Sequence, residues 1–220
     1  MSIDSNPNPT AQHQASTEAW AEHAQDQEFA FHAANKWRRS PQFTSDSARL
    51  WEHFGFRSDQ FAGQVIVDVG AGSKLRTRYF QGARIMVVEP LADRYRTLDF
   101  CDLDAAEACF SVPGETLVPE LVNRADVVLS INALDHGYDF DQAIQNIAAY
   151  LKPNATAFLS FDLHDKADAM HPLLLTDASC RATFAAAGLT VTGVMEGVGP
   201  FGTNYGHGAT IDVWLLKPRD

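Results

Sequence analysis

The chain has 220 residues, 45% of them hydrophobic and 20% charged, enough to bury one sizeable core and too few for two full domains. Its formal charge of −11, from 17 basic and 28 acidic residues, disfavours a nucleic-acid partner, because phosphate backbones are held by basic faces that release counterions. No apolar run approaches the roughly 20 residues that cross a bilayer, and Cys101, Cys109 and Cys180 lack metal-finger spacing, so the expectation is a soluble, cytoplasmic protein with structural thiols and no membrane partner.

Residues 1–15 are polar, carry Pro7 and Pro9, lack the charged-then-apolar order of a secretory signal and read as a disordered tail. Ser16 or Thr17 can cap a helix predicted to reach about residue 39, with Trp20, His23, Phe29, Phe31, His32 and Trp37 on a polar background. A second helix, over 45–53, presents Leu50, Trp51 and Phe54 before Gly55 ends it. These aromatics need a partner surface, so residues 16–59 read as a helical lid on a domain formed by residues 60–220.

From residue 64 short β-branched runs alternate with helical stretches, the pattern of a parallel sheet flanked by helices. Strands are predicted over 65–69, 84–89, 108–112, 126–131 and 156–161, with a closing hairpin over 190–196 and 210–217. Helices are predicted over 74–80, 91–98, 114–121, 140–151 and 177–187, the last capped by Thr176 and stopped by Gly188. Lys152-Pro153-Asn154 breaks the chain just before the fifth strand. The expected fold is α/β and Rossmann-like: a seven-stranded, mostly parallel sheet in three layers with a terminal antiparallel hairpin, plus N-terminal helices.

The first strand runs into Asp68-Val69-Gly70-Ala71-Gly72-Ser73, a glycine turn that lets the backbone bend sharply and lets a ligand approach where a Cβ would collide. Twenty-one positions after Asp68, the second strand ends in Glu89, followed by Pro90; a carboxylate there can bond both hydroxyls of a ribose. After the third strand, Gly114-Glu115 puts a further acid where it can reach an adenine edge. All three signals fall at the carboxyl ends of successive strands, facing the crevice where such sheets bind ligands.

In these segments the chain resembles the class I S-adenosylmethionine (SAM)-dependent methyltransferases, with Asp68-Val69-Gly70-Ala71-Gly72 as the family's motif I and Glu89 as the acid on the ribose. The likeness continues through Ala125-Asp126-Val127-Val128-Leu129-Ser130, Leu134-Asp135-His136 and Leu151-Lys152-Pro153-Asn154, covering about residues 60–217. It implies SAM as cofactor, held by Asp68, Gly70, Ala71, Gly72, Glu89, Pro90, Gly114, Glu115 and Asn132, with Asp68 or the Gly70 carbonyl on the methionyl ammonium. Lys74 stands where a third glycine is usual, a departure that hurts a pyrophosphate-binding site more than a SAM site.

The acceptor side is fainter, since the sulfonium is already electrophilic and the protein mainly aligns a nucleophile and removes a proton. His136, just past the fourth strand, suits proton transfer or packs over the cofactor; Asp135 orients that imidazole or caps the helix beginning near Tyr138. Asp162, His164 and Asp165, with Asp135, have the chemistry of divalent-metal ligands, but an acidic loop is more often solvated surface, so no metal is assigned. Lys36, Arg38, Arg39, Arg76 and Arg78 suit an anionic acceptor or simply favour helix ends. The glycine-rich stretch 197–208, with Tyr205 and His207, reads as a substrate-shaping loop or a plain hairpin connection. Ile131-Asn132-Ala133-Leu134 replaces the Asn-Pro-Pro-Tyr-like motif of nucleobase amino methylation, so the expected acceptor is a small molecule, such as a carbohydrate or secondary-metabolite hydroxyl. A nicotinamide-dependent dehydrogenase or epimerase and a non-catalytic SAM-binding module are the alternatives, and the reading leaves room for a homodimer.

Overall fold

The computed structural model describes residues 13–164, 166–195 and 210–219. Seven strands form one sheet: β1 (Val65–Val69), β2 (Arg84–Val88), β3 (Ala108–Phe110), β4 (Ala125–Ile131), β5 (Leu151–Asp162), β6 (Thr190–Met195) and β7 (Thr210–Leu216), in the order β3-β2-β1-β4-β5-β7-β6. The first five are parallel, with Val67 of β1 opposite Met86 on one side and Val128 on the other. β7 runs antiparallel between β5 and β6.

The period of two divides each continuous apolar strand between two layers. Val65, Val67 and Val69 pack with Phe140, Ile144 and Ile147 of α6 (Phe140–Tyr150) and Phe184 of α7 (Asp177–Ala186). Ile66 faces the opposite layer, where Leu50 and Trp51 of α4 (Gln42–His53) join Phe56, Phe61, Phe80 and Phe158. Thr176 caps α7 in a reciprocal pair with Ser179, and Gly188, at φ +75°, follows its end.

The crossovers after the first three strands are shorter than the sequence pattern predicts. Residues 74–80 yield only a 3₁₀ turn, Arg76–Tyr79; residues 91–98 yield one turn, α5 (Ala92–Tyr95); residues 114–121 yield the 3₁₀ turn Pro119–Leu121. Tertiary partners take the backbone groups a longer helix would need: Asp102 accepts the Leu75 N–H at 2.6 Å, and the Tyr150 hydroxyl accepts that of Val118 at 3.0 Å. A short helix cannot recover its nucleation cost against such contacts. Lys152-Pro153-Asn154 lies inside β5 rather than before it. Ala125 pairs with Leu151 but Val127 with Thr156, and Asn154, at φ +62°, gives its N–H to the Lys217 carbonyl, so the segment is a bulge that lengthens the strand.

The N-terminal helix is segmented: α1 (Thr17–Ala19), a π-helical turn over Trp20–Ala24, α2 (Gln25–Ala34) and α3 (Lys36–Arg39). Ser16 caps α1 as expected, while Asn35 breaks the run by accepting the N–H groups of Trp37 and Arg38. Of the expected tail, residues 13–15 are pinned to the body: Gln14 bridges Asp139 and Ala15 donates to the Tyr138 carbonyl at 2.8 Å. Residues 1–12, Asp165 and the glycine-rich stretch 197–208 lie outside the described residues.

Candidate functional site

A cleft of about 710 Å³ opens at the carboxyl ends of β1, β2 and β4, closed on its far side by the N-terminal helices. That volume suits a small molecule with a partner. All the expected cofactor residues line it: the glycine turn with Asp68, then Glu89 and Pro90, then Gly114 and Glu115, then Asn132.

The glycine turn is fixed by close approach. Gly70 and Gly72 have φ of +76° and +67°; a Cβ on Gly70 would overlap that of Ala133, and one on Gly72 would lie 2.7 Å from His32 Cε1. Glu89 holds the turn from the next strand, its two oxygens accepting the N–H groups of Gly72 and Leu91, each at 2.9 Å. Each carboxylate oxygen retains a lone pair for a ligand hydroxyl. Burial, only partly offset by these bonds, pushes the Glu89 carboxyl up to about 7. Burial likewise raises Asp68 to about 6, although the Thr77 hydroxyl donates to it at 2.6 Å. Glu115 is engaged too, accepting the Tyr138 N–H at 2.7 Å and so tying the loop after β3 to the one after β4.

The N-terminal wall holds residues that sequence reasoning missed as a set. His32 Nδ1 accepts the Ser73 N–H at 3.1 Å, which places the ring proton on Nε2, 2.9 Å from Glu28 Oε1. Burial lowers His32 to about 4, so it is a neutral donor at pH 7. Burial alone would raise Glu28, but the His32 hydrogen bond and the charges of His136, His32 and Arg38 outweigh it and hold the carboxyl at about 2. Arg38, from the basic cluster, stands over the glycine turn, where its Nη1 would be 3.7 Å from a Cβ on Gly72. Its buried Nε makes no hydrogen bond among the described residues. The i,i+4 spacing of Glu28 and His32 was the available signal, and it is too common to single out.

The acceptor-side candidates fall into two groups. His136 lines the cleft, and the Trp20 indole donates to its carbonyl at 2.7 Å. Asp135 is fully buried behind it, and two expectations for this residue are corrected. It does not cap α6, because Asp139 does so through the Gln142 N–H. Nor is its hydrogen bond to His136, whose Nε2 is 3.9 Å away; it meets His164 Nε2 at 3.1 Å instead. That bond, opposed by burial, raises the His164 pKa. Asp162 lines the cleft and accepts the Thr210 hydroxyl at 2.9 Å. His171, unmarked by any periodicity in the sequence, enters from the loop after β5, its ring 4.4 Å from those of both His136 and His164.

This strand order, with a glycine turn after β1 and an acid after β2, is that of the class I SAM-dependent methyltransferases, and the chain has their fold. It aligns with the 1,6-didemethyltoxoflavin-N1-methyltransferase of Burkholderia thailandensis, solved with 1,6-didemethyltoxoflavin and S-adenosylhomocysteine, over 97% of this chain and 98% of that one, at 18% identity and a TM-score of 0.62. A putative methyltransferase of Haloferax volcanii, in complex with the Trm112 activator, aligns over 94% and 100% at 18% identity and a TM-score of 0.63. The [4+2]-cyclase SpnF aligns over 95% and 99% at 15% identity, also with a TM-score of 0.63. No protein-family model and no curated protein matches the sequence.

Proposed function

We propose that the chain binds SAM in this cleft and transfers its methyl group to a small-molecule acceptor, with a hydroxyl of a carbohydrate or secondary metabolite as the best-fitting class. The observation that carries the reading is Glu89, a buried carboxylate at the end of β2, bonded to the glycine turn at the end of β1 and facing the cleft. A ribose seated there places the methionyl end over Gly70-Ala71-Gly72, where the Arg38 guanidinium supplies the positive partner for its carboxylate. The bound S-adenosylhomocysteine of the Burkholderia thailandensis enzyme, which shares this fold, supports the assignment.

In the transfer, an acceptor lone pair forms the new bond to the methyl carbon as the carbon–sulfur bond breaks, its electron pair remaining on sulfur. His136, on the cleft wall, takes the acceptor proton, with Asp135 buried beside it. A dinucleotide is the poorer occupant, because the four-residue 3₁₀ turn after the glycines offers no helix N-terminus to a pyrophosphate.

With an acceptor in hand, His136→Ala is expected to lower kcat by about 10²–10⁴-fold while S-adenosylhomocysteine affinity stays unchanged. Unaltered kcat removes His136 from the chemistry; methyl transfer to no acceptor, despite tight cofactor binding, favours a non-methylating protein on the same fold.

A further inference from the structure

Behind His136, at the acceptor end of the cleft, Asp135, His164 and His171 each offer one ligand atom, and the three atoms lie within 4.8 Å of one another. All three residues are buried. We propose that they bind one divalent transition-metal ion, whose open coordination position faces the cleft and receives a donor atom of the acceptor. The metal site stands on its own geometry, and only the role of its open position rests on the methyltransferase reading.

Three independent features support it. The first is the Asp135 carboxylate, fully buried, whose Oδ1 has no hydrogen-bond partner among the described residues. A buried carboxylate left part-satisfied is costly, and a cation compensates it. Second, Asp135 Oδ2 and His164 Nε2 are 3.1 Å apart, about the spacing of two ligands that each sit roughly 2.0–2.2 Å from a shared ion. Third, His171 Nδ1 lies 3.0 Å from Asp168 Oδ1. A carboxylate on one ring nitrogen orients the imidazole, the arrangement that supports metal-bound histidines.

Two imidazoles and one carboxylate favour Zn²⁺, Fe²⁺ or Co²⁺ over Mg²⁺ and Ca²⁺, which prefer oxygen alone. Three protein ligands also leave a coordination position open, as in catalytic rather than structural sites. Of the three, His171 lines the cleft, so an ion held here is approached from the side of the acceptor. Asp162 and Asp165, named with Asp135 and His164 from the sequence, are not needed.

The test is a Co²⁺ titration of chelator-treated protein, followed by visible absorption and by metal content after gel filtration, with S-adenosylhomocysteine affinity measured on the same samples. One Co²⁺ per chain is expected, displaced by Zn²⁺ and not by Mg²⁺. His164→Ala and His171→Ala should abolish stoichiometric binding, and Asp168→Asn should weaken it about 10–100-fold, each with cofactor affinity unchanged. No saturable Co²⁺ binding by the wild-type chain, or equal binding by both histidine variants, overturns the site and leaves an ordinary histidine–aspartate pair. Failure of the chain to bind S-adenosylhomocysteine counts against the methyltransferase reading and leaves the metal result to be judged separately.

Discussion

Glu89 carries two tasks through one carboxylate: it anchors the Gly72 N–H and faces the cleft that a ribose is proposed to fill. With its carboxyl pushed up to about 7 by burial, the folded chain holds a proton there between about pH 4.5 and 7 that the unfolded chain has released, so this group's contribution to stability declines as pH rises through that window. Ribose hydroxyls prefer the ionised form, so S-adenosylhomocysteine binding should expel protons near neutrality and tighten from pH 6 to pH 8, by no more than about tenfold per unit. Calorimetry in buffers of different ionisation enthalpy measures that release, and Glu89→Gln should flatten the pH slope; a slope unchanged in the variant assigns the proton elsewhere. Gly72→Ala forces a side chain into φ +67° and against His32, so it should cost about 1–3 kcal/mol of stability in chemical denaturation and remove cofactor binding. A variant as stable as wild type would show that the turn has room to shift. That the turn, Glu89 and Glu115 line one cleft was legible because they follow strands at fixed offsets. Asp168 and His171 were not, since their relation to Asp135 exists only once β4 and β5 pair.

At the level of elements, β1, β2 and β4 were legible to within about two residues because buried parallel strands read as uninterrupted β-branched runs, and β3 and the antiparallel β6 and β7 agree as closely. The crossover helices were over-read, because apolar spacing fixes a helix only where nothing nearer takes its backbone groups, as Asp102 does for Leu75. Asn35 was an available stop signal, a good cap inside a nominal helix, and it divides the N-terminal wall just before Arg38. That wall is fastened at Trp20, which donates to the His136 carbonyl at 2.7 Å and has its ring 4.9 Å from that of Tyr138. Trp20→Ala should therefore speed S-adenosylhomocysteine dissociation measured by stopped flow, with a smaller change in association. An unchanged dissociation rate would mean that the wall does not retain the ligand.

For the whole molecule, the division of labour is simple: a sheet with two packed layers fixes the ends of β1, β2 and β4, and the N-terminal helices complete a cleft lined by the glycine turn, Glu89, His136 and His171. The fold was readable as a whole because a strand sequence and its punctuation specify topology; the identity of the proposed methyl acceptor was not, because methyl transfer from a sulfonium demands few obligatory residues. The most direct measurement is an isothermal titration of the full chain with S-adenosylhomocysteine, run beside the Glu89→Ala variant. One saturable site in the wild type, weakened at least about tenfold in the variant, is the predicted result. Absence of binding by the wild type, or equal affinity in the two, would contradict a cofactor held between β1 and β2.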